Sequence, residues 1–342
     1  MKELTWGIVM TVKEPRTLLL SNLAWHLGTG ASEIHVYLDD PDDPLAVELD
    51  AMPALRVIRC DAAHWRDVAP IKRAPATIRR RQALNANHAL KRCECDWLIH
   101  MDADEFLVQS RPLGQELAYV AELGCELSIS PAERIFVAGE AQETFFSGLF
   151  RTSTKGLNRR QDGVNNDAII FGDHFPLLVH GMLGHSAGKC AVPRGQDYEI
   201  GIHWAYRGKD RNRAVRYNSA STRLLHFDGL TPLNWLMKLL RYADYDPSEL
   251  SIAAHRRAQI EIMCDIAKDP QAILEFHAEM KEFDAARLDR LRGFGLLLEE
   301  RFDPSSVIRD VLGEVPDLSP APFDRDLIAA NPKLAKLIED QV

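Results

Sequence analysis

The sequence predicts an α/β protein, a mostly parallel sheet flanked by helices, with a helical extension towards its C-terminus. Three observations carry that expectation. The first third alternates strand and helix signals over short connections, acidic residues stand directly after two of the strands, and from about Pro232 to Arg292 the pattern turns helical. The first strand is Thr5 to Val12, and a helix follows from about Pro15 to Leu27, with a proline suited to its first turn and Gly28 and Gly30 suited to its end. Glu33–Leu38 reads as a second strand and Leu55–Cys60 as a third. A helix from about Ala76 to Arg92 is expected to turn Ile78, Leu84 and Leu90 inward, and the strand Trp97–Met101 follows it. Parallel units of this kind bind ligands beyond the carboxyl ends of their strands.

The middle of the chain is mixed. Arg134–Val137 and Phe145–Arg151 are strand candidates, and about Lys155 to Gly172, rich in Gly, Asn and Asp, reads as a surface loop or lid. Ile260, Met263, Cys264 and Ala267 give the helical region amphipathic spacing. The tail, with Pro304, Pro316, Pro320 and Pro322, reads as broken loop before a short helix at Pro332 to Glu339. Two domains are expected, 1–230 and 231–342.

A chain of 342 residues, 46% apolar and 27% charged, has material for a large core. Its net charge of −9 argues against a general nucleic-acid binder. Basic residues bunch at Lys72, Arg73 and Arg79–Arg81 and again from Lys189 to Arg216, where an anion would find them. The six cysteines are scattered apart from Cys93-Glu94-Cys95, so no zinc spacing emerges and reduced thiols are expected. The N-terminus lacks the apolar stretch of a signal peptide, and no run is long enough to span a bilayer. The expected location is cytoplasmic. A peripheral contact at the inner membrane face is the alternative, through a face such as Trp235–Tyr242 that more often packs in a core.

The densest chemical signal is Asp96-Trp97-Leu98-Ile99-His100-Met101-Asp102-Ala103-Asp104-Glu105-Phe106-Leu107, where an apolar run ends in three carboxylates. In extended chain Asp102 and Asp104 point the same way and share one divalent cation, with Ala103 leaving room for a ligand. Two carboxylates hold Mg²⁺ or Mn²⁺ loosely, so such an ion completes its shell with water and phosphate oxygens of a substrate.

Together with Val12-Lys13-Glu14, Asp39-Asp40 and Arg81-Gln82, that segment resembles the family 2-like glycosyltransferases with a GT-A fold, in the bacterial branch with an Asp-x-Asp-Glu-Phe motif. The resemblance covers residues 5 to 110 and resumes more thinly at Gly188-Lys189-Cys190, His203 and Leu225-His226-Phe227. It implies a GT-A-like (Rossmann-like) sheet and a metal-dependent transfer, tilted towards inversion, from a nucleotide diphosphate sugar, UDP-sugar favoured, to a hydroxyl on a glycan or glycolipid. The setting it implies is bacterial surface polysaccharide or lipopolysaccharide synthesis.

Carried over by position, the resemblance places Lys13, Asp39 or Asp40, Arg81, Gln82, Asp102 and Lys189 at the donor, and Asp102 and Asp104 at Mn²⁺ or Mg²⁺. His226 is the candidate third ligand, with Asp228 two residues on. Glu105 would support the acidic turn. Apart from the resemblance, Arg79 and Lys238, like Arg81 and Lys189, are cations within reach of a phosphate or an acidic sugar, and Arg81 and Asn85, four apart on a helix, face together. An inverting enzyme needs a carboxylate base for the acceptor hydroxyl. Asp173 and Glu199 are the candidates, with His185 and His203 as competitors.

Other classes fit less well. Haloacid-dehalogenase-like phosphohydrolases need a hydroxyl residue where this chain has Phe106, and nucleotidyltransferases normally carry a glycine-rich loop where it has Met10–Pro15. The non-enzymatic alternative is a degenerate relative acting as a carbohydrate-binding or scaffold subunit.

Overall fold

The computed structural model describes residues 2–69, 71, 73–157, 162–242, 252–267 and 269–331. Lys72, residues 158–161 of the expected loop, and the expected helix at Pro332 to Glu339 lie outside them.

In chain order the elements are β1 (Trp6–Val12), α1 (Arg16–Gly28), β2 (Glu33–Leu38), α2 (Leu45–Asp50), β3 (Leu55–Arg59), α3 (Ala62–Val68), α4 (Ile78–Leu90), β4 (Trp97–His100), β5 (Glu105–Gln109), α5 (Leu113–Leu123) and β6 (Glu126–Ile129). Then come β7 (Pro131–Val137), β8 (Leu149–Thr152) and α6 (Asn166–Phe171), followed by β9 (Lys189–Pro193), β10 (Tyr198–Ile200), β11 (Ala205–Arg207), β12 (Asn212–Arg213), β13 (Arg216–Asn218) and β14 (Thr222–His226). The last part holds α7 (Pro232–Leu240), α8 (Ala254–Ile266), α9 (Pro270–Lys281), β15 (Glu282–Phe283), α10 (Ala285–Gly293), β16 (Leu297–Leu298), α11 (Ser305–Leu312) and α12 (Pro320–Ala330).

By packing, the chain divides into two compact units, each assembled from three segments. The first is Met1–Pro131, Ala187–Leu224 and Pro304–Val315, and the second is Ala132–Ser186, Leu225–Asp303 and Pro316–Val342.

The first unit is built on a seven-stranded sheet in the order β13-β6-β9-β4-β1-β2-β3. β4, β1, β2 and β3 run parallel, and β9 is inserted antiparallel between β4 and β6. The inner strands β1, β2 and β4 are buried along their whole length because both faces are covered. Ile8, Met10, Val36 and Ile99 face one core with Leu19 and Leu23 of α1 and Leu117 of α5. Val9, Tyr37 and Leu98, one residue out of phase, face another with Ala86 and Ala89 of α4 and Trp65 of α3.

Several details depart from expectation. Ile78 is exposed, and α4 turns Asn85, Ala86, Ala89 and Leu90 inward. The proline-rich tail is largely helical: Pro304 is the N-cap of α11 and Pro320 opens α12, where a missing N–H costs nothing. α11 packs on α1 so closely that a Cβ on Gly28 would meet Val307.

In the second unit, β7, β8 and β16 pair antiparallel and β15 adds parallel to β7. Leu236, Leu239 and Leu240 of α7, Ile260 and Met263 of α8 and Phe276 of α9 form its core. The apolar face of α7 is thus buried: Trp235 and Leu239 expose 1% or less. The expected loop at Lys155–Gly172 contains α6, whose Asn165 cap accepts from Asp167 N–H and whose Ile170 and Phe171 are buried.

Candidate active site

Most of the candidate residues converge at the carboxyl edge of the first unit's parallel strands. Lys13 and Glu14 follow β1, Asp39 and Asp40 follow β2, and Asp102–Glu105 follow β4. The N-terminal half of α4 supplies Arg81 and Gln82. β9 runs against β4 with Ile99 opposite Ala191, so its first residue, Lys189, arrives at the end of β4 from the other direction.

The acidic segment is a tight turn rather than extended chain. Glu105 N–H donates to the Asp102 carbonyl at 3.1 Å while the Glu105 carboxylate accepts from Asp102 N–H at 2.9 Å, closing the turn from both sides. The alternation expected to align Asp102 with Asp104 therefore does not apply, and Ala103 is packed into the core instead of leaving room for a ligand. Asn22 of α1, fully buried, donates its amide to the carbonyls of Ala103 at 3.0 Å and Glu105 at 2.7 Å. One turn on, His26 donates from Nδ1 to Asn22 O and accepts Leu107 N–H on Nε2. Burial drives the His26 pKa down to about 4, so this imidazole is neutral. Asn22 and His26 went unremarked in the sequence. The available signal was Asn22 and His26, four apart and so on one face of a leucine-rich helix.

Asp102 is held by two donors, Gln82 Nε2 at 2.6 Å and Lys189 Nζ at 2.7 Å. Lys189 also meets Glu105 at 3.1 Å, with both side chains fully buried. Burial opposes the Lys189 charge, but Asp102 and Glu105 outweigh it and raise the ammonium above its ordinary pKa. His100, buried beneath them, is pushed down to about 4 by burial and by Lys189.

At β2, Arg81 forks onto Asp39, Nε to Oδ1 at 2.7 Å and Nη2 to Oδ2 at 2.9 Å, and both side chains are mostly buried. Asp40 stands further out, 3.9 Å from Lys13 Nζ, in a pair whose side chains are 45% and 64% exposed. Asn85 does not share a ligand face with Arg81. It is fully buried, donating to Thr11 Oγ1 at 2.9 Å and meeting His64 Nε2 at 2.8 Å, and so ties α4 to β1 and α3.

The remaining candidates lie elsewhere. Glu199, on β10 of the first unit, pairs with Arg211 at 2.9 Å on the surface. His203 meets the Gly188 carbonyl at 3.0 Å. In the second unit, Asp173 is exposed at the rim of a cavity of about 290 Å³ lined by Phe171, His174, Glu279, Phe283 and Arg287. His226 is buried at the end of β14, its ring stacked on His185 with centroids 4.9 Å apart. Asp228 is buried among Lys281, Arg256 and Lys238 at 3.5, 3.6 and 3.9 Å. Burial would raise its pKa, yet these cations hold the carboxylate well below the usual range.

A divalent ion fits the acidic turn in a limited way. Asp102 and Asp104 are both partly exposed, and among the described residues they join no third His, Cys, Asp or Glu with ligand atoms within 4.8 Å of one another. Two carboxylates of this kind suit a hard cation that keeps water and takes phosphate oxygens. An ion at Asp102 would share that carboxylate with Lys189 or displace Gln82.

No family model matches the chain, and no curated protein matches it. Among solved structures it is similar to S. aureus TarS 1-349, at 13% identity over 98% of this chain and 87% of that one, with a TM-score of 0.33. The same protein in complex with UDP-GlcNAc gives 13% identity, 98% and 88% coverage and a TM-score of 0.30. HddC from Yersinia pseudotuberculosis gives 11% identity, 65% and 93% coverage and a TM-score of 0.30. Likeness at this level assigns no function to the chain. Among the described residues no helix is long and apolar enough to cross a membrane.

Proposed function

We propose that this chain is a glycosyltransferase that takes a sugar from a nucleotide diphosphate donor, UDP-sugar favoured, and passes it to a hydroxyl of a glycan or glycolipid, with inversion. The observation that carries this reading is the clamped acidic turn Asp102–Glu105 at the carboxyl edge of β4, on the same sheet edge as Arg81 and Asp39. In an open parallel sheet that edge is where a nucleotide lies. The chain's resemblance to family 2-like glycosyltransferases rests on the same residues.

On this reading Asp40, with Lys13 beside it, faces the nucleoside, and Asp39 is held rigid by Arg81. Asp104 and Asp102 would hold Mn²⁺ or Mg²⁺, which would supply positive charge to offset that of the leaving diphosphate. Gln82 and Lys189 fix the Asp102 carboxylate, and Lys189 keeps a positive charge beneath the turn throughout. The acceptor base is Asp173 or Glu199, and His226 is the candidate further ligand. Surface polysaccharide or lipopolysaccharide assembly at the cytoplasmic side of the membrane is the setting that suits such an activity.

Release of nucleoside diphosphate from a panel of nucleotide sugars, with Mn²⁺, Mg²⁺ or EDTA, tests the reading. Metal-stimulated release from one donor, lost in Asp104→Ala, is the expected result. Because Lys189 and Gln82 already occupy both Asp102 oxygens, a binding subunit without turnover is the second reading. Donor binding with no release, even with candidate acceptors present, would favour it, and absence of any nucleotide binding would sink the transferase.

A further inference from the structure

The entry to α4 carries more positive charge than the donor reading uses. Between Ala62, where α3 begins, and Arg92, just past α4, eight residues are Lys or Arg and one, Asp67, is acidic. That stretch is +7 in a chain of −9, so the remainder holds −16. Charge separated this steeply orients a protein towards an anionic surface before any contact forms.

Within the stretch, some cations are answered and some are not. Arg81 is taken by Asp39 and by the Pro75 carbonyl at 2.8 Å, and Arg92 by Asp67 at 2.9 Å. Arg73, Arg79 and Arg80 are exposed, and among the described residues none of them meets a carboxylate at ion-pair distance. Exposed arginines elsewhere do: Arg16 pairs with Glu48, Arg59 with Asp50 and Arg301 with Glu140. Ile78, next to Arg79 in the chain, leaves 43% of its surface in water.

The helix itself gives no reason for this arrangement. Thr77 makes no side-chain cap to α4, and the first turn holds no acid. Instead Arg79, Arg80 and Arg81 stand together where the backbone dipole is positive, which opposes cations. An external anion would supply what the fold does not.

We infer that Arg73, Ile78, Arg79 and Arg80 form a face that docks the protein on an anionic lipid bilayer. The guanidiniums fork onto headgroup phosphates, and Ile78 enters the acyl boundary beneath them. A soluble polyanion would answer the arginines but gain nothing from an exposed isoleucine. Because α4 opens beside Asp39, docking here brings the carboxyl edge of the sheet to the lipid. The docking rests on charge and exposure alone; only its use, presenting a glycolipid to the donor edge, rests on the transferase reading.

The test is co-sedimentation of the full chain, without donor, with vesicles of phosphatidylcholine alone or with about a third phosphatidylglycerol. Binding is expected to the anionic vesicles only, fading as salt rises. Each arginine near such a surface contributes about fivefold, so Arg73→Gln/Arg79→Gln/Arg80→Gln should lower the partition coefficient about 100-fold. Arg16→Gln/Arg59→Gln/Arg301→Gln removes the same charge from paired positions and should stay within about twofold of wild type. Ile78→Ser should lose about fivefold. The first triple variant should melt at or above the wild-type Tm, since it removes cations that oppose the helix dipole. A lower Tm would show that these arginines serve the fold instead. No binding to anionic vesicles at low salt, equal binding to neutral ones, or equal losses in both triple variants overturns the docking face. Heparin binding lost in the first triple variant, with vesicle binding indifferent to Ile78→Ser, would make the partner a soluble polyanion. Salt-sensitive self-association without lipid, lost in the same variant, would make it a second copy. Sugar transfer enters none of these readouts.

Discussion

Removing the Lys189 ammonium should damage the acidic turn more than any single substitution on its rim. The side chain is fully buried and contacts Asp102 at 2.7 Å and Glu105 at 3.1 Å; Glu105 is itself fully buried, while a third of the Asp102 side chain is exposed. Lys189→Met fills similar volume and leaves two carboxylates without their shared cation. Breaking a buried pair from one side costs about 3–5 kcal/mol. Because solvent screens part of the Asp102 charge, we take the lower end, about 3 kcal/mol. For a unit of this size that corresponds to a fall in Tm of about 6–12 °C.

The assay is thermal unfolding followed by far-ultraviolet circular dichroism at pH 7.5. The control is Lys189→Met/Glu105→Gln, whose neutral amide still accepts Asp102 N–H and which should recover most of the loss. A shift under about 2 °C, or a double variant no better than the single, would show that the three groups are not energetically coupled as their geometry implies.

Three further substitutions probe the neighbouring contacts. Arg81→Lys keeps the charge but loses the fork onto Asp39, and on the transferase reading the Kd for nucleoside diphosphate, measured by calorimetry, should rise about tenfold, or about 1.4 kcal/mol. His26, fully buried and lowered to about 4, must take up a proton to unfold in acid. Stability therefore stays intact above about pH 6.5 and falls as pH drops towards 4, by about 3 kcal/mol at most. Urea unfolding should show a shallower pH slope in His26→Gln. Gly188 has φ +69° and a Cβ there would lie 2.0 Å from the Ile129 carbonyl, so Gly188→Ala should cost about 2 kcal/mol or more in the same urea assay and displace Lys189.

What the sequence made legible is what local pattern controls. β1, β2 and β4 are largely apolar runs and β3 keeps an alternating pattern, each with turn residues near its ends, and acids at the ends of β2 and β4 are visible in one dimension. The turn at Asp102–Glu105 was misread as extended chain because its closure depends on a Glu105 side chain reaching back to a backbone N–H, a contact that alternation does not encode. α11 and α12 were hidden because proline signals both breaks and starts, and only packing against α1 decides for α11. The pairing of Asp39 with Arg81 joins residues 42 apart, and that of Asp102 with Lys189 joins residues 87 apart. Each residue type was legible as charged, but not which charge would answer it.

The antiparallel insertion of β9 explains why this edge can carry so many acids. Parallel strands deliver only their carboxyl ends to one side of a sheet, so the residues following β1, β2 and β4 gather there, Glu14, Asp39, Asp40, Asp102, Asp104 and Glu105 among them. A strand running the other way brings its amino end to the same edge, and β9 brings Lys189. Register then decides the outcome. With Ile99 opposite Ala191 the ammonium reaches Asp102 and Glu105, whereas a slip of one residue would send Lys189 to the other face and offer Cys190 in its place. Gly188, wedged on the Ile129 carbonyl in a conformation that other residues rarely adopt, pins that register immediately before the lysine. The electrostatics of the turn are thus a property of strand order as much as of the Asp-x-Asp segment itself, and a graft of that segment onto an all-parallel sheet would lack its buried cation.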